Sequence, residues 1–282
     1  MAFKYNYAIV QRIPKSFAQK YPKINVDQAN EEQETLVEIL RQSAIDILEI
    51  DVEERHPTSP FVDDTAVIIN NIALMCNPYG NRQGEVSAIR QTLKRQLGMK
   101  VAEISIDGAA LEGSDVLFTD KEIIVGISPH TNEAGATCVA KTFPEYPVTT
   151  VTVHPLESKK AGHTSLKDLV CMAGASVIAV GLSPSAQKTL KEINWKASYN
   201  YRIIQLPEDQ ACNCLYVNGY LVHLAPDLIP SSIGIFENKI DYNRIPISLP
   251  HLVEQRVSMT KLCLLVQKTK NTNLKSIMST LP

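Results

Sequence analysis

Four stretches of this 282-residue chain share one pattern, in which two short apolar runs flank a two-residue turn. They read FVDDTAVIINNIALM (61–75), GSDVLFTDKEIIVG (113–126), DLVCMAGASVIAVG (168–181) and CNCLYVNGYLVHL (212–224). Their turns, read at Asn70-Asn71, Asp120-Lys121, Gly174-Ala175 and Asn218-Gly219, fall 50, 54 and 44 residues apart. A period of that size points to a propeller or a repeat array. Two apolar runs lack a nearby partner, Tyr7 to Val10 and Cys263 to Val266. Pairing them completes a fifth unit from the two ends of the chain. Helical spacing between hairpins predicts helices over Glu31–Leu48 and Val86–Leu97. A third helix over Pro184–Ile193 would be capped by Ser183. The expected fold is therefore α/β, a closed ring of five ββα-type units in one domain over residues 1–282.

Composition limits the partners. Net charge is −2, which disfavours phosphate-backbone binding as the main task, so no nucleic-acid partner is expected. No apolar stretch approaches a membrane span, and the first ten residues hold no long apolar leader. The six cysteines, at 76, 138, 171, 212, 214 and 263, sit mostly in apolar runs. That usage fits buried thiols in a reduced, cytoplasmic protein. No C-x-x-C occurs, so neither a metal site nor a cofactor is expected.

The segments FVDDTAV, NPYGNRQGE, LEGSDVLFT, SLKDLVCMAG, CNCLYVNG and the terminal V-x5-CLLV resemble the dimethylargininase (dimethylarginine dimethylaminohydrolase) family in order and spacing. The resemblance implies a five-bladed α/β propeller, the pentein fold. It also implies hydrolysis of methylated arginines, or another guanidine-type small molecule, to a citrulline-type product and an amine. Such a reaction needs a strong nucleophile, flanking carboxylates to grip the cation and a proton donor for the leaving amine.

Carried over by position, the resemblance makes Cys263 the nucleophile and Glu112 the partner of a catalytic histidine. Asp63 and Asp64 become the carboxylate pair, and Arg82 a substrate contact. Phe61, Val257, Thr58, Ser258 and His130 fill further substrate positions, the last three with departures from the family's acidic or arginine residues. Asp115 suits either the site or the turn before its strand. Ser114 replaces a glycine. The family histidine falls on Ser165, which cannot shuttle protons as an imidazole does. His163, two residues earlier, is the available replacement, while His154, His223 and His251 are given no role. The leading expectation is a cysteine-dependent hydrolase, as monomer or homodimer. Its alternative is a catalytically impaired binding protein on the same scaffold. A redox- or zinc-responsive thiol protein would rest on Cys263 alone.

Overall fold

Each hairpin read from the sequence is an antiparallel pair, and each gains a third, parallel strand after a helix. The computed structural model describes residues 3–80, 82–157 and 163–268. Within them lie five three-stranded sheets. The second joins Ala66–Ile69, Ile72–Met75 and Lys100–Ala102, and the third joins Val116–Phe118, Ile123–Ile127 and Val148–Thr152. The fourth holds Val170–Gly174, Val177–Gly181 and Arg202–Leu206. The fifth holds Leu215–Val217, Tyr220–Leu224 and Arg244–Ile247. The first sheet is made from both ends of the described chain. Tyr7–Gln11 pairs antiparallel with Leu264–Val266 and parallel with Asp46–Ile50.

The repeating unit is thus ββαβ rather than ββα. The third strands escape a reading of apolar runs because they are edge strands rich in polar residues, such as VTTVT and RIIQL. The first helix shows the same effect. It spans Val26–Gln42, with the Asn25 side chain accepting from the N–H groups of Asp27 and Gln28. The expected helix over Glu31–Leu48 is corrected at its end, because Ile47 and Leu48 belong to the strand Asp46–Ile50. The chain reverses at Ala44, whose φ is 61°. The helix expected from Val86 begins at Gln83 and ends in a π-turn over Thr92–Gln96. The helix capped by Ser183 runs Pro184–Lys196, and the Ser183 side chain accepts from Ala186 N–H.

The turns read at Asn70, Asp120 and Asn218 stand where expected, and each of these residues has a left-handed backbone. The third turn shifts by one residue, with Ser176 at φ 58°. Gly174 lies instead in its strand, where a Cβ would come 2.3 Å from the Tyr242 hydroxyl.

Each hairpin is preceded by a short helical turn, over Val62–Thr65, Gly113–Asp115, Leu166–Leu169, Asp209–Cys212 and Met259–Leu262. These turns touch in a closed cycle. The first packs on the second and on the last, and the third packs on the second and the fourth. Asn213, just past the fourth turn, closes the circle with two hydrogen bonds to Thr260, Nδ2 to Oγ1 at 2.8 Å and Thr260 N–H to Oδ1 at 3.1 Å. Among the described residues no helix is long and apolar enough to cross a membrane.

Candidate active site

Most residues named from the sequence sit on or just before these turns, while Arg82 precedes the helix Gln83–Gln91 and His130 follows the strand Ile123–Ile127, and most of them meet at one cavity. It measures about 410 Å³, and its wall includes Thr58, Phe61, Asp64, Arg82, Glu112, His130, His163, Val257 and Ser258. Glu112 is the hub. It lies just before the turn Gly113–Asp115 and is 1% exposed. Its Oε1 meets His130 Nδ1 at 3.0 Å, Tyr79 N–H at 3.3 Å and Arg82 Nη1 at 3.5 Å. Its Oε2 lies 3.1 Å from His163 Nε2. Burial by itself would raise the Glu112 pKa, but His130, His163 and Lys261 hold it well below the ordinary carboxylate range. The carboxylate therefore stays charged.

Asp64 accepts from Arg82 Nη1 at 2.9 Å and from Lys261 Nζ at 3.3 Å. Burial pushes its pKa up, and the two cations pull it below the usual value. Arg82 also bonds Glu85 at 2.8 Å, whose other oxygen accepts from Thr58 Oγ1 at 2.8 Å. Lys261 is 5% exposed and places its ammonium between Asp64 and Ser114 Oγ, the latter at 3.1 Å. Burial would lower the Lys261 pKa, but Asp64, Asp168 and Glu112 raise it above the usual value. It is a permanent buried cation.

Two expected members, Cys263 and Asp63, are elsewhere. Cys263 lines a separate cavity of about 130 Å³ together with Asp63, Lys167, Cys171 and Cys214. Its thiol is buried, and burial with nearby Asp63 pushes its pKa up to about 12, despite Lys167. Asp63 is gripped by Lys167 Nζ at 2.7 and 2.8 Å. The two aspartates are consecutive on a 3-10 turn, where side chains step by about 120°, and they line different cavities rather than one. Ser165 caps the turn Leu166–Leu169, with its N–H and Oγ both bonded to Asp168 Oδ2 at 2.8 and 2.9 Å. Asp168 Oδ1 accepts from Ser258 Oγ. Asp115 bonds Ser128 Oγ at 2.7 Å and Leu166 N–H at 2.8 Å, which ties two turns together. The histidines given no role are held by other contacts: His154 lies near Glu192, His223 bonds the Leu224 carbonyl, and His251 bonds Glu32. In the loop that follows His154, residues 158–162 lie outside the described residues.

The sequence and the fold have counterparts among known proteins. A family model described as N,N dimethylarginine dimethylhydrolase, eukaryotic, matches residues 1–224. The chain belongs to this family. It is similar to the human protein named "Putative hydrolase DDAH2", 32% identical over 276 residues, or 93% of this chain and 94% of the relative. It is also similar to the N(G),N(G)-dimethylarginine dimethylaminohydrolase of Pseudomonas aeruginosa, 24% identical over 199 residues, 69% of this chain and 72% of that one. A solved structure of a Pseudomonas aeruginosa DDAH mutant with citrulline shares the fold, with a TM-score of 0.76 at 20% identity over 93% of this chain and all of that one. The N-terminal domain of ArgZ, an arginine dihydrolase from cyanobacteria, does so at a TM-score of 0.73 and 15% identity, over 93% of this chain and 98% of that domain.

Sequence reading of this family member missed Glu85, Lys167, Tyr79 and Lys261. Glu85 had a signal, standing three residues after Arg82 at the start of a helix, where such a pair faces one side. Lys261 had a fainter one, a lone charge between Met259 and the apolar run that follows.

Proposed function

We propose that this chain is a guanidino-hydrolase-family protein whose hydrolysis of methylarginines is impaired and whose 410 Å³ cavity serves as a small-molecule binding site. The observation that carries this reading is Lys261. The resemblance makes Asp64 a seat for a guanidinium, and the chain's own ammonium already bonds it. A second cation brought to about 4 Å of Lys261 would meet a repulsion of roughly 4 kcal/mol at the effective dielectric of such sites. Two further features support it. Cys263 faces another cavity and is protonated at neutral pH, and the position of the family histidine is a helix cap. Loss of an acid/base group costs roughly 10² to 10⁴ in rate. The closed cycle of turns supports taking the five sheets as blades of one propeller-type domain.

One observation favours a second reading, an active hydrolase for a guanidine-type substrate. His163 does stand beside Glu112, as a replacement histidine must. In that reading the substrate displaces Lys261, Cys263 turns into the cavity, and its thiol gives its proton to His163 as the sulfur bonds to the guanidinium carbon. His163 protonates the departing amine, and water then releases the citrulline-type product and restores the thiol. Citrulline release from asymmetric dimethylarginine and monomethylarginine decides between them. Wild type is expected to match the Cys263→Ser background. Turnover that both Cys263→Ser and His163→Ala abolish would overturn the binding reading in favour of the second.

A further inference from the structure

The two histidines on Glu112 have a property that proton transfer does not require. Glu112 Oε2 and His163 Nε2 lie 3.1 Å apart, yet neither atom has a hydrogen-bond partner in good alignment, and both are buried. An unmatched pair of this kind in a nearly inaccessible place is costly unless something completes it. On the other carboxylate oxygen, His130 Nδ1 stands at 3.0 Å. The imidazole rings are 3.5 Å apart between centroids and tilted by 39°, with Tyr79 stacked on the outer face of His130 at 4.6 Å. One donor atom from each of Glu112, His130 and His163 falls within 4.8 Å of the other two.

We propose that Glu112, His130 and His163 form a binding site for a divalent first-row transition metal ion, zinc being the best fit. Two imidazoles and a carboxylate are a common donor set for zinc that keeps a fourth position open. Bonds of about 2.0–2.1 Å in a tetrahedron separate neighbouring ligand atoms by roughly 3.3 Å. Glu112 stands 3.0 and 3.1 Å from the two histidines through its two oxygens, and the three donor atoms together lie within 4.8 Å. The open position faces the 410 Å³ cavity, where a water or a ligand atom completes the shell. In the ion-pair network around Glu112, Asp64, Glu85 and Glu112 carry three negative charges against two on Arg82 and Lys261, while Lys20, Arg55 and Arg256 also line the cavity, so the ion is held by its three ligands and not by the net charge of the cavity. The nearest opposing cation is Arg82, whose Nη1 lies 3.5 Å from Glu112 Oε1 and is drawn away by Asp64 and Glu85. Cys263 has no part in the site, which lies in the other cavity. The site stands whether or not the cavity hydrolyses anything.

The test is calorimetric titration of the purified full-length chain with zinc chloride, repeated with cobalt chloride to read ligand-field absorption. One equivalent per chain is expected, with cobalt bands of a four- or five-coordinate nitrogen–oxygen site. His130→Ala and His163→Ala are each expected to weaken binding at least ~10-fold. Glu112→Gln, which keeps the shape of the side chain, covers the case in which an alanine variant fails to fold. Cys263→Ser and His251→Ala are expected to bind zinc as the wild type does. No binding overturns the proposal. Binding unaffected by the histidine and Glu112→Gln changes overturns it too, as does binding lost in Cys263→Ser or sulfur-to-cobalt charge-transfer absorption.

Discussion

Lys261 is the residue on which the balance of the cavity turns. Its ammonium is fully enclosed and answers Asp64, with Glu112 close by. Removing one partner from a buried ionic network leaves uncompensated charge, at a typical cost of about 3–5 kcal/mol. Lys261→Ala is therefore expected to lower the urea midpoint by a corresponding amount. An unchanged midpoint would mean that Asp64 is satisfied by Arg82 alone. Cys263 gives a second prediction at this scale. A free thiol titrates near ~8.5, whereas this one is pushed up to about 12 by burial and Asp63. At pH 8 its thiolate fraction is then smaller by roughly 10³, so iodoacetamide should label it at least ~100-fold more slowly than a free cysteine. Rapid labelling mapped to Cys263 by mass spectrometry would show that the thiol is activated in the resting protein. The residue types of the site were legible in the sequence, since Glu112, Arg82, Asp64, His130 and His163 do meet. The grouping of Cys263 with them was not, because the cavity a side chain enters depends on the backbone where turn passes into strand, and Cys263 stands at that junction.

At the scale of elements, the short turns before the hairpins do most of the positioning. The turns Val62–Thr65 and Gly113–Asp115 pack so closely that a Cβ on Gly113 would fall 1.9 Å from the Asp63 carbonyl oxygen and 2.9 Å from that of Ala66. Neither atom is the flexible end of a side chain, so backbone must move. Gly113→Ala is expected to cost about 2 kcal/mol or more, read as a fall in the urea midpoint at unchanged slope. A variant as stable as wild type would show that the contact between these turns is loose. The hairpins were legible because their apolar runs are buried on both faces, as the pattern of Val177–Gly181 shows. The third strands were not, because they are edge strands whose polar residues match no simple period.

For the whole molecule, burial of acid groups in neutral form sets a limit at alkaline pH. Cys171 and Cys263 are pushed up to about 12, chiefly by burial, as is Tyr21. In the unfolded chain these groups titrate near ~8.5 for cysteine and ~10 for tyrosine. The folded form holds protons that the unfolded form has lost, so stability is complete below the unfolded values and falls as pH rises toward 12. The slope is roughly 1.4 kcal/mol per pH unit for each thiol. Thermal unfolding should therefore move to lower temperature between pH 9 and pH 11, and less steeply in Cys171→Ala. A flat profile would contradict the burial of these thiols.

The sequence by itself determined the number of units and the pairing of the two ends of the described chain, because burying paired apolar runs leaves few alternatives. It also determined the family, through short segments whose order survives change elsewhere. Only the tertiary structure decided which charges meet. Lys261 finds Asp64 across 197 positions, and Lys167 finds Asp63 across 104. Such pairs leave no periodic trace. They follow from how five turns close into a circle, and the strength of each charge depends on the burial that the closure creates.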